Sequence, residues 1–467
     1  MEVPELPMVF IRLLTEKFVG CEFEIECYDI EVHGISDNCP PLYKGPGVIS
    51  GKEKGAFSFR LHNQIPLSEK AFNLFIGKNL QNEDIQARIF AIDYEGIRWT
   101  GGWSIPNVYS SKSGKFIVHG QFEQLSTIVK RYESNICSNT TELVFANIPE
   151  VPLTELVEEQ RKHRGEKVYS RTWANRHELN FNGVKINFLI SNNDNLFHIT
   201  ADHKEKFLPP YVENWIPEAL TFITGTLTYP RMIIRHFENE SRIFLRNTPS
   251  DIQSKMPSPI LGTPTERKEI WNIFKAYLEE CVRCHEFEQL ATTKIFSEVI
   301  IASTGTLQAF VLSLAVCVEN LIGQLDKDEQ LNDVDRSDVP DKDTWKNLKK
   351  YIEKWEGNTN VRDRTIKLLN SQIRSIPIIN KMEILKKENV VEEKHIKAWK
   401  GIRNSLVHGE IIEFPVDEDF WLKRNLLISM VYRLALRKIG YKGLITDHAS
   451  PDIESIDFQW ERTCSAD

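Results

Sequence analysis

Asn247-Thr248-Pro249-Ser250-Asp251, continuing through Pro257-Ser258-Pro259, is the stretch that divides this chain. Each Pro lacks an amide donor and pushes the residue before it away from helical geometry. The Ser, Thr, Asn and Asp side chains around them compete for backbone groups and favour turns. Neither a long helix nor a central strand crosses such a segment, so it is read as a linker. The two sides of it carry different hydrophobic periods.

Upstream the period is that of strands. Cys21-Glu22-Phe23-Glu24-Ile25-Glu26-Cys27 alternates, Ala56-Phe57-Ser58-Phe59-Arg60-Leu61 does the same, and Gln86 to Ile92 runs into Asp93-Tyr94-Glu95-Gly96 before Ile97-Arg98-Trp99 resumes. Short β-branched and aromatic runs split by turn residues predict a β-rich domain over 1–145, with a hairpin at Asp93 to Gly96. Over 146–255 the periods mix: Val184 to Ile190 is strand-like, Tyr211 to Phe222 is helix-like, and Arg231-Met232-Ile233-Ile234 returns to strand. Downstream, over 256–467, the pattern is helical almost throughout. Thr263, Pro264 and Glu266 form a capping box, a helix is expected from about Glu266 to Leu290, and others near 306–325, 344–355, 360–375, 391–408 and 418–439. The fold class expected is α+β and multidomain, a β-rich N-terminal half followed by an all-α bundle. A chain of 467 residues agrees, since it exceeds what one hydrophobic core commonly supports.

Composition narrows the function classes. With 41% apolar and 27% charged residues the chain is globular rather than disordered. Acids at Glu2 and Glu5 stand where a secretory leader would carry Lys or Arg, so a cytoplasmic protein is expected. The eight Cys are scattered, which fits reduced thiols rather than a disulfide framework. Val299 to Val318 has no charge and approaches the length of a membrane span, but Ser303, Thr304, Gly305, Thr306 and Gln308 interrupt it, and a buried core helix is the expectation. The acidic stretch Asp326 to Asp343 lacks the Gly and terminal Glu of a calcium loop and reads as a solvated connection.

Two constellations offer chemistry. Cys281-Val282-Arg283-Cys284-His285 matches a c-type haem attachment pattern, but it falls inside an expected helix and has no second Cys pair for zinc, so core cysteines are the better reading. The second is Gly401-Ile402-Arg403-Asn404-Ser405-Leu406-Val407-His408-Gly409. An Arg five residues before a His occurs again at Arg231 and His236, where the neighbours are strand-like and no polar support is evident. Around Arg403 the helix divides into faces. Ile396, Trp399, Ile402 and Leu406 recur at core spacing, whereas Lys397, Lys400, Asn404 and His408 recur three or four apart as a polar stripe. Gly409 stops the helix, leaving His408 at its negative end, where an imidazolium is favoured and acid–base work becomes available. Residues 342–403 hold 16 Lys and Arg against 8 Asp and Glu, a balance of +8 in a chain whose total is −8. Basic charge gathered beside this motif is what a polyanion needs, and a solvated helical face would carry the same charge, so charge alone does not separate the two readings.

The segment Trp399 to Gly409 resembles the signature of HEPN domains, helical bundles that carry Arg, a polar residue, three variable positions and His. The apolar helix Leu307 to Leu325 with its lone acid Glu319 resembles the long core helix of that fold. The strands ending in Asp93 to Gly102 resemble the N-terminal domain of ApeA-like prokaryotic antiphage proteins, in which a β-rich domain also precedes a HEPN domain. The resemblance implies a metal-independent endoribonuclease without cofactor, of the abortive-infection type. It implies Arg403, Asn404 and His408 as catalytic residues, Lys397 and Lys400 as RNA contacts, and Glu319 in a supporting role. It further implies a homodimer and a phage-derived trigger acting through the N-terminal half, while the interrupted run Val299 to Val318 leads to the expectation of no membrane association. A non-catalytic HEPN dimerisation or nucleotide-binding module, with a partner-binding N-terminal half, is the alternative. No P-loop, G-x-S-x-G elbow or zinc-protease pattern gives the front half an enzyme of its own.

Overall fold

A computed structural model describes residues 18–19, 22–34, 40–51, 56–68, 71, 86–110, 115–130, 139–163, 166–190, 196–247, 254–285, 288–327, 342–372, 378–407, 418–452 and 454–462, with the backbone alone over 156–163, 166–174, 326–327, 342, 368–372 and 406–407. Two compact units are formed, one of Met1–Leu220, Leu227–Ile252 and Cys284–Glu288, the other of Thr221–Thr226, Gln253–Arg283 and Gln289–Asp467.

The first unit is built on an antiparallel sheet of fifteen strands, ordered β10-β11-β12-β13-β9-β14-β15-β8-β5-β4-β1-β2-β3-β7-β6. Its strands are β1 (Phe23–Gly34), β2 (Tyr43–Gly51), β3 (Phe57–His62), β4 (Ala87–Asp93), β5 (Arg98–Ser104), β6 (Asn107–Ser110), β7 (Phe116–Phe122) and β8 (Gln124–Lys130). The rest are β9 (Thr140–Phe145), β10 (Glu155–His163), β11 (Glu166–Phe181), β12 (Val184–Ile190), β13 (Phe197–Asp202), β14 (Met232–His236) and β15 (Glu240–Arg246). Alternation in the sequence becomes alternation in burial: Phe23, Ile25 and Cys27 point inward between exposed acids, until the register of β1 shifts between Cys27 and Ile30. The inward residues Phe23, Phe57, Phe59, Ile89, Trp99, Phe122 and Leu125 belong to one core.

Asp93 explains the hairpin between β4 and β5. Its carboxylate accepts hydrogen bonds from the amides of Glu95 and Ile97 at 3.0 and 2.8 Å and from the Trp99 indole at 2.9 Å. Gly96 supplies the positive φ of +82° that closes the turn. Helix α1 (Tyr211–Thr224) follows β13, and its fully buried Glu213 binds the guanidinium of Arg235 and lies 3.4 Å from that of Arg246.

The second unit is helical: α2 (Pro264–Arg267), α3 (Ile270–Cys284), α4 (Ala291–Ser303), α5 (Leu307–Lys327), α6 (Lys342–Glu353), α7 (Thr359–Gln372), α8 (Ile378–Lys387), α9 (Glu393–Val407) and α10 (Glu418–Lys438). The capping box at Thr263 and Glu266 is present. The single helix expected from Glu266 to Leu290 is not: α2 ends at Arg267, α3 ends at Cys284, and His285 turns into positive φ at +50°. Helices α4 and α8 were not anticipated. Nor was the hairpin of β16 (Gly443–Thr446) and β17 (Ser455–Phe458), so the unit is not all-α. The greater part of the acidic stretch 326–343 lies outside the described residues.

Helix α5 is apolar and long enough to cross a membrane by composition. Here it packs on α4, α8, α9 and α10, burying Phe310, Val311, Leu314, Ala315, Val318, Leu321, Ile322 and Leu325 at helical spacing. Its opposite side leaves Leu312 and Val316 exposed. Helix α10 is buried continuously from Leu426 to Arg437 and includes an ion pair of Arg437 with Glu388, both almost fully buried.

Candidate functional site

Helix α9 begins under local control, with the Glu392 amide donating to Nδ1 of His395 at 3.0 Å and Glu393 in the first turn. Its buried face is Ile396, Ala398, Trp399 and Ile402. Its open face holds Lys397, Lys400 and Asn404, so these three share solvent as the sequence pattern predicts. His408 and Gly409 lie outside the described residues, and the side chain of Leu406 does too.

Arg403, one position off that stripe, turns toward α5. Its Nε donates to Oε1 of Glu319 at 2.6 Å, with the two side chains 40% and 32% exposed. One turn earlier Trp399 donates its indole N–H to the carbonyl of Ala315 at 3.2 Å. The guanidinium also stands 5.6 Å from the Trp399 ring centroid, within cation–π range. Glu319 occupies Nε alone, so the two terminal nitrogens of Arg403 have no hydrogen-bonding partner among the described residues. An Arg held by its Nε presents those nitrogens as a pre-aimed fork for a phosphate.

Sequence reasoning missed a further cation, Lys423 on α10. A Cβ at Gly401 would stand 3.8 Å from Lys423 Cε, which puts that side chain beside the open face of α9. Lys423 also pairs with Asp419. The imidazole on α9, His395, is sealed; burial foremost, with Arg433 and Lys394, lowers its pKa to about 3. It is a structural, neutral histidine.

The discounted pair Arg231 and His236 proves to be polar but occupied. Arg231 is fully buried, donates to the Arg246 carbonyl at 2.7 Å and lies over Phe57. His236 contacts Ser241 Oγ at 3.0 Å and lies 3.6 Å from Glu142, which also binds His198 at 2.8 Å. Polar support for His236 therefore exists, contrary to the sequence reading. Ser241 is fully buried, so its hydroxyl is closed to a substrate.

Compared with family models, curated proteins and solved structures, the chain matches none. The likeness to HEPN domains accordingly rests on the residues themselves.

Elsewhere, Cys281 is buried and Cys284 half-buried, while His285 stacks on Tyr211 with ring centroids 4.6 Å apart. No group of three His, Cys, Asp or Glu suited to a metal occurs among the described residues. In the first unit a cleft of about 770 Å³ is lined by Trp103, Ser104, Asn107, His119, Gln121 and Gln124, among others. The Ser104 hydroxyl in it is buried without a hydrogen-bond partner among the described residues.

Proposed function

We propose that the helical unit is a metal-independent HEPN-type endoribonuclease and that the chain acts as an abortive-infection effector against phage. The observation carrying this reading is the Arg403–Glu319 pair, which holds a partly exposed guanidinium beside the open face of α9, its two terminal nitrogens without a hydrogen-bonding partner among the described residues. Asn404, Lys400 and Lys397 share that face, and His408 follows Asn404 by one helical turn in sequence.

In the proposed reaction His408 takes the proton from an RNA 2′-hydroxyl. The 2′-oxygen attacks the adjacent phosphorus, the P–O5′ bond breaks, and the 5′-oxygen takes a proton from water as it leaves, while the imidazolium gives its proton back to solvent. The products are a 2′,3′-cyclic phosphate and a 5′-hydroxyl. Arg403 offsets the charge growing on the non-bridging oxygens, and Asn404 orients the phosphate or the imidazole. Lys397 and Lys400 track the backbone, and Glu319 aims the guanidinium.

The partner proposed is a second copy. Leu312 and Val316 form an exposed apolar stripe on α5 that runs toward Glu319, and an isologous contact there would bring each motif to its twin. The β-rich unit would sense a phage-derived trigger, and its amide-lined cleft is a place to read one. The reaction would take place in the cytoplasm, on host or phage RNA.

Purified protein is incubated with matched RNA and DNA strands in EDTA. Cleavage of RNA alone, with cyclic phosphate ends, is expected; cleavage of DNA rules out the 2′-hydroxyl route. The Arg403–Glu319 pair also suits a purely structural strut, the form a non-catalytic dimerisation or nucleotide-binding module would keep. Expression in cells separates the two: equal toxicity of wild type, Arg403→Ala and His408→Ala favours the module.

A further inference from the structure

Helices α6 and α7 pack on each other, and no described side chain of either is buried. From 342 to 372 they hold eight Lys and Arg against four Asp and Glu. Lys346 and Lys350 stand four residues apart and rise along one side of α6 by about 6 Å, and Lys354 follows in the turn just past its last residue, Glu353. Tyr351 follows Lys350 in the last turn of α6 and Trp355 follows Lys354 in the connection to α7, so each of these cations has an aromatic side chain next to it in sequence. These rings are open: Tyr351 is 77% exposed and Trp355 47%. Single exposed aromatics are ordinary on a protein surface, as at Tyr94 and Tyr109; what marks Tyr351 and Trp355 is that each stands next in sequence to an exposed cation on one short hairpin.

Local structure fixes the second ring. Gly357, in the turn to α7, lies against the Trp355 indole so closely that a Cβ there would overlap it. The indole is thus seated at the apex of the hairpin. The cations beside it are available. Lys346 meets Asp343 only at 3.7 Å with both exposed, and Lys350 and Lys354 have no carboxylate within 4 Å among the described residues.

We infer that the α6–α7 hairpin is an arm that grips single-stranded RNA, with bases stacking on Tyr351 and Trp355 and phosphates on Lys346, Lys350 and Lys354. The choice of RNA rests on the nuclease reading above; the preference for a single strand rests on the hairpin itself. Stacking needs bases whose faces are free, which a duplex does not offer, and every base has such a face, so binding tolerates sequence. The arm supplies grip, while the Arg403 face supplies the reaction.

The test uses full-length protein and a fluorescein-labelled 2′-O-methyl U12 strand, which cannot be cut by its own 2′-oxygen. Binding is followed by anisotropy at several salt concentrations. Tyr351→Ala and Trp355→Ala are each expected to weaken binding roughly 5- to 150-fold, the range of stacking losses. Tyr351→Phe and Trp355→Phe should retain most of it. Lys350→Ala with Lys354→Ala should lower the slope of log affinity against log salt by roughly 1.4, two phosphate contacts on a single strand. A duplex of the same length should bind more weakly than the strand.

Failure of the wild type to bind, or binding by the Ala variants equal to wild type, overturns the arm. So does a drop in molar mass by light scattering in the Ala variants with binding unchanged, since the rings would then be a contact between copies. Should Ala disturb the hairpin, Tyr351→Leu and Trp355→Leu keep an apolar side chain without a flat ring, and unchanged binding by these also overturns it. Binding of the strand without cleavage of ordinary RNA leaves the arm standing and removes the nuclease reading. Cleavage unaffected by every hairpin variant does the reverse.

Discussion

Arg403 Nε lies 2.6 Å from Glu319 Oε1, so the guanidinium that begins the motif on α9 is aimed by a carboxylate on α5. Both side chains are more than 30% exposed. An ion pair in such a setting adds under about 1 kcal/mol to stability, because water screens it. Its value is in direction. Glu319→Gln is therefore expected to leave the melting temperature nearly unchanged while slowing RNA cleavage roughly ten- to hundredfold, the scale of a misaimed catalytic group. A fall in melting temperature with cleavage intact would make the pair a strut.

Asp93 gathers three donors into one turn, and one of them is the indole N–H of buried Trp99. Asp93→Ala strands that donor and is expected to cost roughly 2–4 kcal/mol, read from the urea midpoint by tryptophan fluorescence. Asp93→Asn keeps an acceptor and should cost less than half as much. Equal losses would mean that charge, rather than the turn's hydrogen bonds, matters here.

His395 makes stability depend on pH. Burial first, then Arg433 and Lys394, lower its pKa from 6.5 to about 3, while Asp447 pulls weakly the other way. The unfolded chain takes up a proton below pH 6.5 that the folded chain refuses until about pH 3, so stability is present above 6.5 and lost as pH falls through that window. By pH 5 the loss is on the order of 2 kcal/mol. His395→Asn retains an acceptor for the Glu392 amide and should flatten the dependence; urea unfolding at pH 5 and pH 7 compares them. His448, lowered to about 4 chiefly by burial, would contribute a residual slope in both proteins.

Arg437 and Glu388 form a different kind of pair, 1% and 3% exposed, 3.1 Å apart, with Trp460 under the guanidinium at 4.1 Å. Arg437→Met leaves a buried carboxylate alone and is expected to cost about 3–5 kcal/mol. Adding Glu388→Leu should recover most of that loss. A double variant as unstable as the single would show that Arg437 acts through its other contacts.

The sequence was most legible where one period ran uninterrupted. Alternation marked β1, β3, β4 and β12, and the 3.6-residue period marked α1, α5, α9 and α10 to within a few residues. It failed at α3, where apolar spacing continues past Cys284 but the backbone turns at His285, a residue type tolerated at positive φ without being a turn signal. The hairpin β16–β17 escaped because its strands are four residues each, too short for alternation to register. At the candidate site, the exposure of Lys397, Lys400 and Asn404 followed from helical spacing alone. The tie from Arg403 to Glu319 spans 84 positions, and no local pattern encodes it. Lys423 was hidden for the same reason. Glu142 offered only a lone acid in a β-branched run, and its two histidine partners come from other strands.

Trp399 and Arg403 are four residues apart on α9, as are their acceptors Ala315 and Glu319 on α5. The two bonds are rungs of one ladder whose spacing equals the helical repeat. A drift of one residue along either helix breaks both rungs together, whereas a slip of a whole turn would offer the guanidinium Gly323 in place of a carboxylate. The aim of Arg403 is therefore digital: it is either in gear or disengaged, with no partial setting between.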